Sequence, residues 1–270
     1  MRIKIMFEHS RDVILPWDYQ YAVQSWIYKI LDQANPELAA KLHDYGYTYE
    51  GKHFKLFCFG PWQCYYKPLG QAGMKLLENS SNLSIGFLLP EVLTEFVRGL
   101  FKDLAYTFYF KGFDPMPIRM VSVQSLSEQG NPEESRDYRL LTGARISIKD
   151  ESKKHPQYIG PGHQDYIDHL KLNTIRKFNA SILVDQSKQH LFSVDFNITS
   201  PFKTQKVNIP KGDKLTEMIG YKYAFTLKAP PYIHDTLLYA GLGEECSMGM
   251  GWVEEVDDKV EEKTKRDIYK

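Results

Sequence analysis

The stretch Gly241-Leu-Gly-Glu-Glu-Cys-Ser-Met-Gly-Met-Gly251 sets two Gly-apolar-Gly pairs on either side of five residues. It lies just past residues 232–240, a helix expected to open at Pro230-Pro231 and stop at Gly241, and before an expected closing strand at 252–256. Glycine tolerates positive φ and carries no Cβ, so several backbone N–H groups of such a loop can converge on an anion. A helix cap followed by a turn into an edge strand uses the same residue types, and the residues leave both readings open. The dinucleotide fingerprint, which needs Gly-x-Gly-x-x-Gly opening a helix, does not fit. Neither does the Gly-Lys-Ser/Thr of a P-loop.

Outward from the loop, residues 140–148, 191–198, 202–209 and 221–227 read as strands, and 163–178 as a helix with Tyr166, Ile167, Leu170 and Ile175 on its apolar face. In the first half, Ile3, Ile5 and Phe7 alternate like a strand. A helix follows Leu15-Pro16-Trp17-Asp18, with Asp18 or a neighbour as its cap and Val23, Ile27, Ile30 and Leu31 as its stripe. Asn35-Pro36 restarts a short helix to about His43, with Gly46 as its stop. Strands are expected at 54–59, 75–78, 83–88, 105–110 and 118–123, the second and third joined by the turn at 79–82. A helix is expected from Pro90. Each half then approximates β-α-β-β-α-β. The expected class is α+β, two tandem ferredoxin-like (RRM-like) domains with a C-terminal glycine-rich loop. The expected domains are 1–125 and 126–270, joined by the polar stretch 125–137.

The bulk composition agrees. With 43% hydrophobic and 25% charged residues, the 270-residue chain is ordinary globular protein. Net charge is zero, and without residues 253–270 the balance is 29 bases to 27 acids, unlike a protein that coats long nucleic acid. Residues 201–228 hold six lysines against Asp213 and Glu217, either a local basic groove or a solvated sheet edge. Three cysteines at no metal-ligand spacing, together with no leader-like or membrane-length apolar run, give the expectation of a cytoplasmic protein with no membrane association.

The glycine pairs, in type, spacing and position after the last helix, resemble the loop that marks the repeat-associated RNA-binding superfamily of CRISPR proteins. Relatives usually carry Lys or Arg between the pairs, where this chain has Glu244 and Glu245. A second resemblance lies near the N-terminus. Leu15-Pro16-Trp-Asp-Tyr-Gln-Tyr21, Ser25-Trp-Ile-Tyr28, Asn35-Pro-Glu-Leu-Ala-Ala-Lys-Leu-His43 and Phe54-Lys55-Leu-Phe57 run in the order of the repeat-cleaving endoribonuclease branch. That resemblance implies a catalytic set of Tyr28, His43 and Lys55, with Lys52 as the competitor of Lys55. It implies RNA contacts from Gly241, Gly243, Ser247, Gly249 and Gly251, while Lys203 and Lys206 are added by strand alternation beside the loop. No metal and no cofactor are implied.

These residue types suit RNA cleavage. The 2′-OH is a built-in nucleophile, so the enzyme must move two protons and stabilise a phosphorane-like charge. Histidine titrates near neutrality, lysine supplies fixed positive charge, and tyrosine can orient the hydroxyl or share in proton transfer. The implied products are a 2′,3′-cyclic phosphate and a 5′-hydroxyl. The implied partner is CRISPR repeat RNA in its precursor transcript, bound by a monomer or homodimer. The alternative is a non-catalytic subunit holding guide RNA beside other subunits of an effector complex. Taken singly, each residue has a plain role: His43 a helix-end partner, Tyr28 packing, Lys55 an edge charge.

Overall fold

A computed structural model describes residues 1–126, 133–149, 156–182, 193–211 and 214–256. Its architecture is α+β with antiparallel sheets and five helices: α1 (Gln20–Ala34), α2 (Pro36–Asp44), α3 (Pro90–Leu100), α4 (Tyr166–Ser181) and α5 (Pro231–Ala240). The first sheet runs Phe57–Phe59, Ser80–Phe87, Arg2–His9, Met116–Leu126, Ala105–Phe108, each neighbour antiparallel. The second runs Asp195–Ile198, Ala224–Lys228, Ser135–Leu140, Val253–Glu255, again antiparallel throughout. Leaving aside the edge strand Ala105–Phe108, both sheets place their strands in the order 2-3-1-4 within their half. In each half, helix lies between strands one and two and again between three and four.

Hydrophobic pattern produces these elements directly. Ile3, Ile5 and Phe7 alternate into the core, and α1 lays Val23, Trp26, Ile27, Ile30 and Leu31 over that sheet. Trp26 meets Phe7, Phe96 and Phe108 at centroid distances of 5.6, 5.8 and 5.9 Å, so one indole joins α1, α3 and the sheet. A second core forms around Tyr138, Tyr166, Phe225, Ile233 and Leu237. Among the described residues no helix is long and apolar enough to cross a membrane.

Several expectations change where tertiary contacts override local pattern. Asp18 does not cap α1, whose N-cap position is Tyr19 without a side-chain bond. Its carboxylate instead accepts from the Asn208 backbone N–H (2.9 Å) and amide (3.1 Å), tying α1 to a distant hairpin. The expected strand at 54–59 is two strands, because Leu56 adopts φ 55. Lys52–Phe54 pairs with Tyr47–Tyr49, and Phe57–Phe59 joins the main sheet. Met74–Leu76 pairs with Ile14–Leu15 and Tyr66–Pro68 rather than forming a hairpin with Ser80–Phe87. The expected strand at 140–148 also divides, Ile146–Ile148 pairing with Gln157–Ile159 outside the second sheet. The stretch 221–227 divides at Tyr223, and Lys214–Lys222 forms a long hairpin with Lys203–Lys211. Most of the expected linker, residues 127–132, lies outside the described residues.

The halves are joined by buried polar contacts. Arg2, on the central strand of the first sheet, is 4% exposed. Its Nε donates to the Leu238 carbonyl (2.9 Å) and its Nη2 to the Val253 carbonyl (2.7 Å), while the guanidinium lies 3.9 Å over the Trp252 ring. The Cys58 thiol points at the Leu238 and Tyr239 carbonyls beside it. A charged donor on buried carbonyls contributes about 1.5–3 kcal/mol, and its loss strands the acceptors. Arg2→Leu should therefore lower the unfolding free energy in urea by about 2–3 kcal/mol. A change below about 0.5 kcal/mol, typical of a surface site, would show that this guanidinium is not a structural tie.

Candidate functional site

Three local devices place the N-terminal residues. Tyr28 of α1 is half-buried and packs against the first core. The Asn35 side chain accepts from the Leu38 N–H (3.1 Å) and Pro36 fills the first turn, so α2 starts at a defined point and carries His43 in its last turn. Gly46, at φ 65, follows α2 where an added Cβ would stand 2.3 Å from the Phe54 carbonyl oxygen. Only glycine lets the chain reverse this close to the Lys55 segment.

These devices bring Tyr28, His43 and Lys55 together. The Tyr28 and His43 rings meet edge to face at 5.2 Å, and Phe57 packs against Tyr28 at 5.8 Å. Lys55 donates to the His43 carbonyl. Lys52 lies opposite Tyr49 on the short hairpin and lines the same cleft as Lys55. The His43 side chain is 68% exposed, with Nδ1 2.9 Å from Asp44 Oδ1. Burial raises the Tyr28 phenol well above the usual tyrosine range, and nearby Glu245 adds to the shift. Tyr28 is thus a neutral hydrogen-bonding group rather than a base. Partial burial lowers the Lys55 pKa, opposed by Asp44 and Glu245, whose charges favour the ammonium form.

Facing this group is the glycine-rich loop. Gly241, Gly243, Gly249 and Gly251 all have positive φ, between 69 and 83. Gly251 shows why: an added Cβ would lie 2.0 Å from the Leu242 carbonyl oxygen. The N–H groups of Gly241, Gly249 and Gly251 are bonded inside the fold, to Leu237, Cys246 and Gly143 carbonyls. Glu245 (φ 57) and the following turn Cys246–Met248 leave the N–H groups of Glu245, Cys246 and Ser247 without a partner among the described residues. Ser247 Oγ is 3.5 Å from Gln24 Nε2 of α1. The Glu244 carboxylate accepts from Ser147 Oγ (2.8 Å), and burial pushes its pKa up.

A cleft of about 650 Å³ is lined by Lys55 and by the loop, whereas Tyr28 and His43 are not among its lining residues. Lys52, Lys55 and Phe57 line one side, Glu245 and Ser247 the other, and α4 forms a further wall. Sequence reasoning missed that wall. It also missed Lys177, which is 5% exposed and donates to the Gly241 (2.7 Å) and Ala240 (3.3 Å) carbonyls, supporting the loop from beneath. A lysine in an amphipathic helix gives no sign of burial until its tertiary partners are known. Lys203 and Lys206 lie outside the cleft lining, on the Lys203–Lys222 hairpin. Lys206 pairs there with Glu217 at 3.1 Å, while Val207 and Met218 pack on Met248 and Met250 of the loop. Among the described residues no three His, Cys, Asp or Glu side chains come together in a way that could hold a metal ion.

Comparison with known proteins identifies the class to which this fold and site belong. The profile described as CRISPR-associated protein Cas6, N-terminal, matches residues 14–110, and that for CRISPR associated protein Cas6, C-terminal, matches residues 129–255. The chain is 23% identical to CRISPR-associated endoribonuclease Cas6 1 of Methanocaldococcus jannaschii, over 96% of this chain and 94% of that protein. Among solved structures it is similar to one titled CRISPR associated protein Cas6 (TM-score 0.73, 22% identity, covering 95% of this chain and 99% of that one). It is similar also to a Cas6-related protein from Pyrococcus furiosus (TM-score 0.78, 16% identity, covering 96% and 99%). The chain belongs to the Cas6 family of CRISPR repeat-RNA-processing proteins.

The support beneath the loop can be tested without RNA. Lys177→Met keeps the length of the side chain and removes its donors, so it should cost about 2–3 kcal/mol in urea unfolding. An unchanged midpoint would mean that the Gly241 and Ala240 carbonyls need no such partner.

Proposed function

We propose that this protein is an endoribonuclease that cuts CRISPR precursor RNA within its repeats, without a metal, by attack of the 2′-OH on the adjacent phosphorus. Guide RNAs ending in a 2′,3′-cyclic phosphate and beginning with a 5′-hydroxyl are the products. The observation that carries this reading is the convergence of Tyr28, His43 and Lys55, from α1, α2 and the segment after Phe54, with Lys55 lining the same cleft as the glycine-rich loop. The name of the Methanocaldococcus jannaschii relative supports it. The shared 2-3-1-4 strand order supports two tandem ferredoxin-like domains, 1–125 and 126–270, with the site at their junction.

In this scheme His43 performs proton transfer, its exposed ring reaching substrate and Asp44 holding Nδ1. Lys55 provides positive charge for the non-bridging oxygens at the moment charge develops. Tyr28, neutral across the working range, orients the 2′-OH or the phosphate by hydrogen bonding. The glycine-rich loop shapes the opposite bank. The unpartnered N–H groups of Glu245, Cys246 and Ser247, with the Ser247 hydroxyl, are suited to a backbone phosphate. Repeat RNA in a precursor transcript is the partner, and we place the reaction in the cytoplasm.

Repeat RNA incubated with purified protein in excess EDTA tests this directly. Wild type should make a single cut leaving a cyclic phosphate. His43→Ala should lose about 10²–10⁴-fold in rate, and Lys55→Ala about 10²–10³-fold. Tyr28→Phe should lose less than either, and the wild-type rate should show no rise through the ordinary tyrosine range. Tight binding with no cut by any of the proteins would replace this reading with that of an RNA-holding subunit. Cutting that EDTA abolishes would overturn the metal-free chemistry.

A further inference from the structure

The face that α4 turns to the cleft carries four polar residues at helical spacing: His169, Asn173, Arg176 and Lys177. Two of them have structural work. Arg176 Nε bonds Glu50 at 2.8 Å, bracing α4 against the hairpin that precedes Lys55, and Lys177 holds the loop carbonyls. The other two have none. The His169 ring has no hydrogen-bond, ion-pair or ring partner among the described residues. The Asn173 side chain, half-buried in the cleft wall, has no hydrogen-bond partner among the described residues. Asn173 sits in the cleft wall one helical turn from that unengaged imidazole.

We propose that His169 and Asn173 form a nucleobase subsite, which reads one unpaired RNA base beside the cut and so sets where the chain cleaves. This rests on the reading of the cleft as an RNA-cleaving site. An amide offers a donor and an acceptor in one plane, the complement of a base edge, and single-stranded bases expose such edges. A histidine ring stacks on the face of a base or bonds its edge. Lys52 and Lys55, in the same cleft lining, serve the phosphates, so base and backbone of one nucleotide are addressed within one cleft. The residues come from the second half of the chain while the catalytic set comes from the first. Both are therefore needed for a cut at a defined position.

The test uses the full-length protein and repeat RNAs in which each nucleotide flanking the scissile phosphate is replaced by the other three bases. Binding by filter retention and single-turnover cleavage are measured for wild type, Asn173→Ala and His169→Ala, with melting temperature as a folding control. At one flanking position wild type should discriminate by at least about 10-fold in kcat/KM, the scale of one well-made base contact. Asn173→Ala should flatten that position to within about 2-fold, raising KM with kcat kept, and His169→Ala should weaken binding of the same nucleotide. Wild-type discrimination retained at every position by a folded Asn173→Ala overturns the subsite and leaves the nuclease standing. If Asn173→Ala melts early, His169→Ala decides the matter, and its unchanged KM and specificity overturn the subsite. Wild type that neither binds nor cuts repeat RNA overturns both the subsite and the nuclease.

Discussion

The guanidinium of Arg2 joins the two halves of this molecule. It leaves the central strand of the first sheet, crosses to the last turn of α5 and the closing strand, and stacks on Trp252. Desolvating an arginine is costly unless its donors are met, and here backbone carbonyls on two different elements meet them. Those acceptors flank the glycine-rich loop, which runs from Gly241 at the end of α5 to Gly251 just before Trp252. The contact that docks the halves therefore also sets where the loop stands relative to Tyr28, His43 and Lys55.

Around that tie, rigid supports surround an open site. Lys177 carries the loop from below, Asp18 binds the hairpin whose Val207 and Met218 pack on Met248 and Met250, and Arg176 braces α4 on Glu50. The groups at the candidate site are by contrast sparsely bonded: His43 is exposed, Ser247 has one long contact, and the Asn173 side chain has none. A site that binds a polar polymer needs this division, because donors already used by the fold cannot also serve phosphates and bases. The two acids of the loop divide likewise. Glu244 is engaged by Ser147, whereas Glu245 lies near Tyr28 and Lys55, where with Asp44 it opposes the lowering of the Lys55 pKa by burial.

Much of this was legible in the residues. Alternation at Ile3, Ile5 and Phe7, the stripes of α1 and α3, and Asn35-Pro36 at the head of α2 identify elements whose local preferences agree with their packing. The order Tyr28, His43, Lys55 suggested a site through resemblance, and geometry groups the three. What escaped was set by long-range contacts. Leu56 turns into positive φ so that Phe57–Phe59 can join the main sheet, which no propensity foretells. Asp18 has the composition of a cap but commits its carboxylate to Asn208. The α4 wall was invisible because His169 and Asn173 acquire meaning only when the first half is docked opposite them.

The proposed function turns on one placement, RNA lying in a cleft built from both halves of the chain. Repeat RNA carrying 4-thiouridine at the nucleotides flanking the scissile phosphate, bound to His43→Ala to prevent cutting and then irradiated, reports on this by mass spectrometry of the linked peptides. Crosslinks are expected to peptides containing residues 52–57 and to peptides from 241–251 or α4. Crosslinks confined to one half, or to surfaces away from the cleft, would contradict that placement.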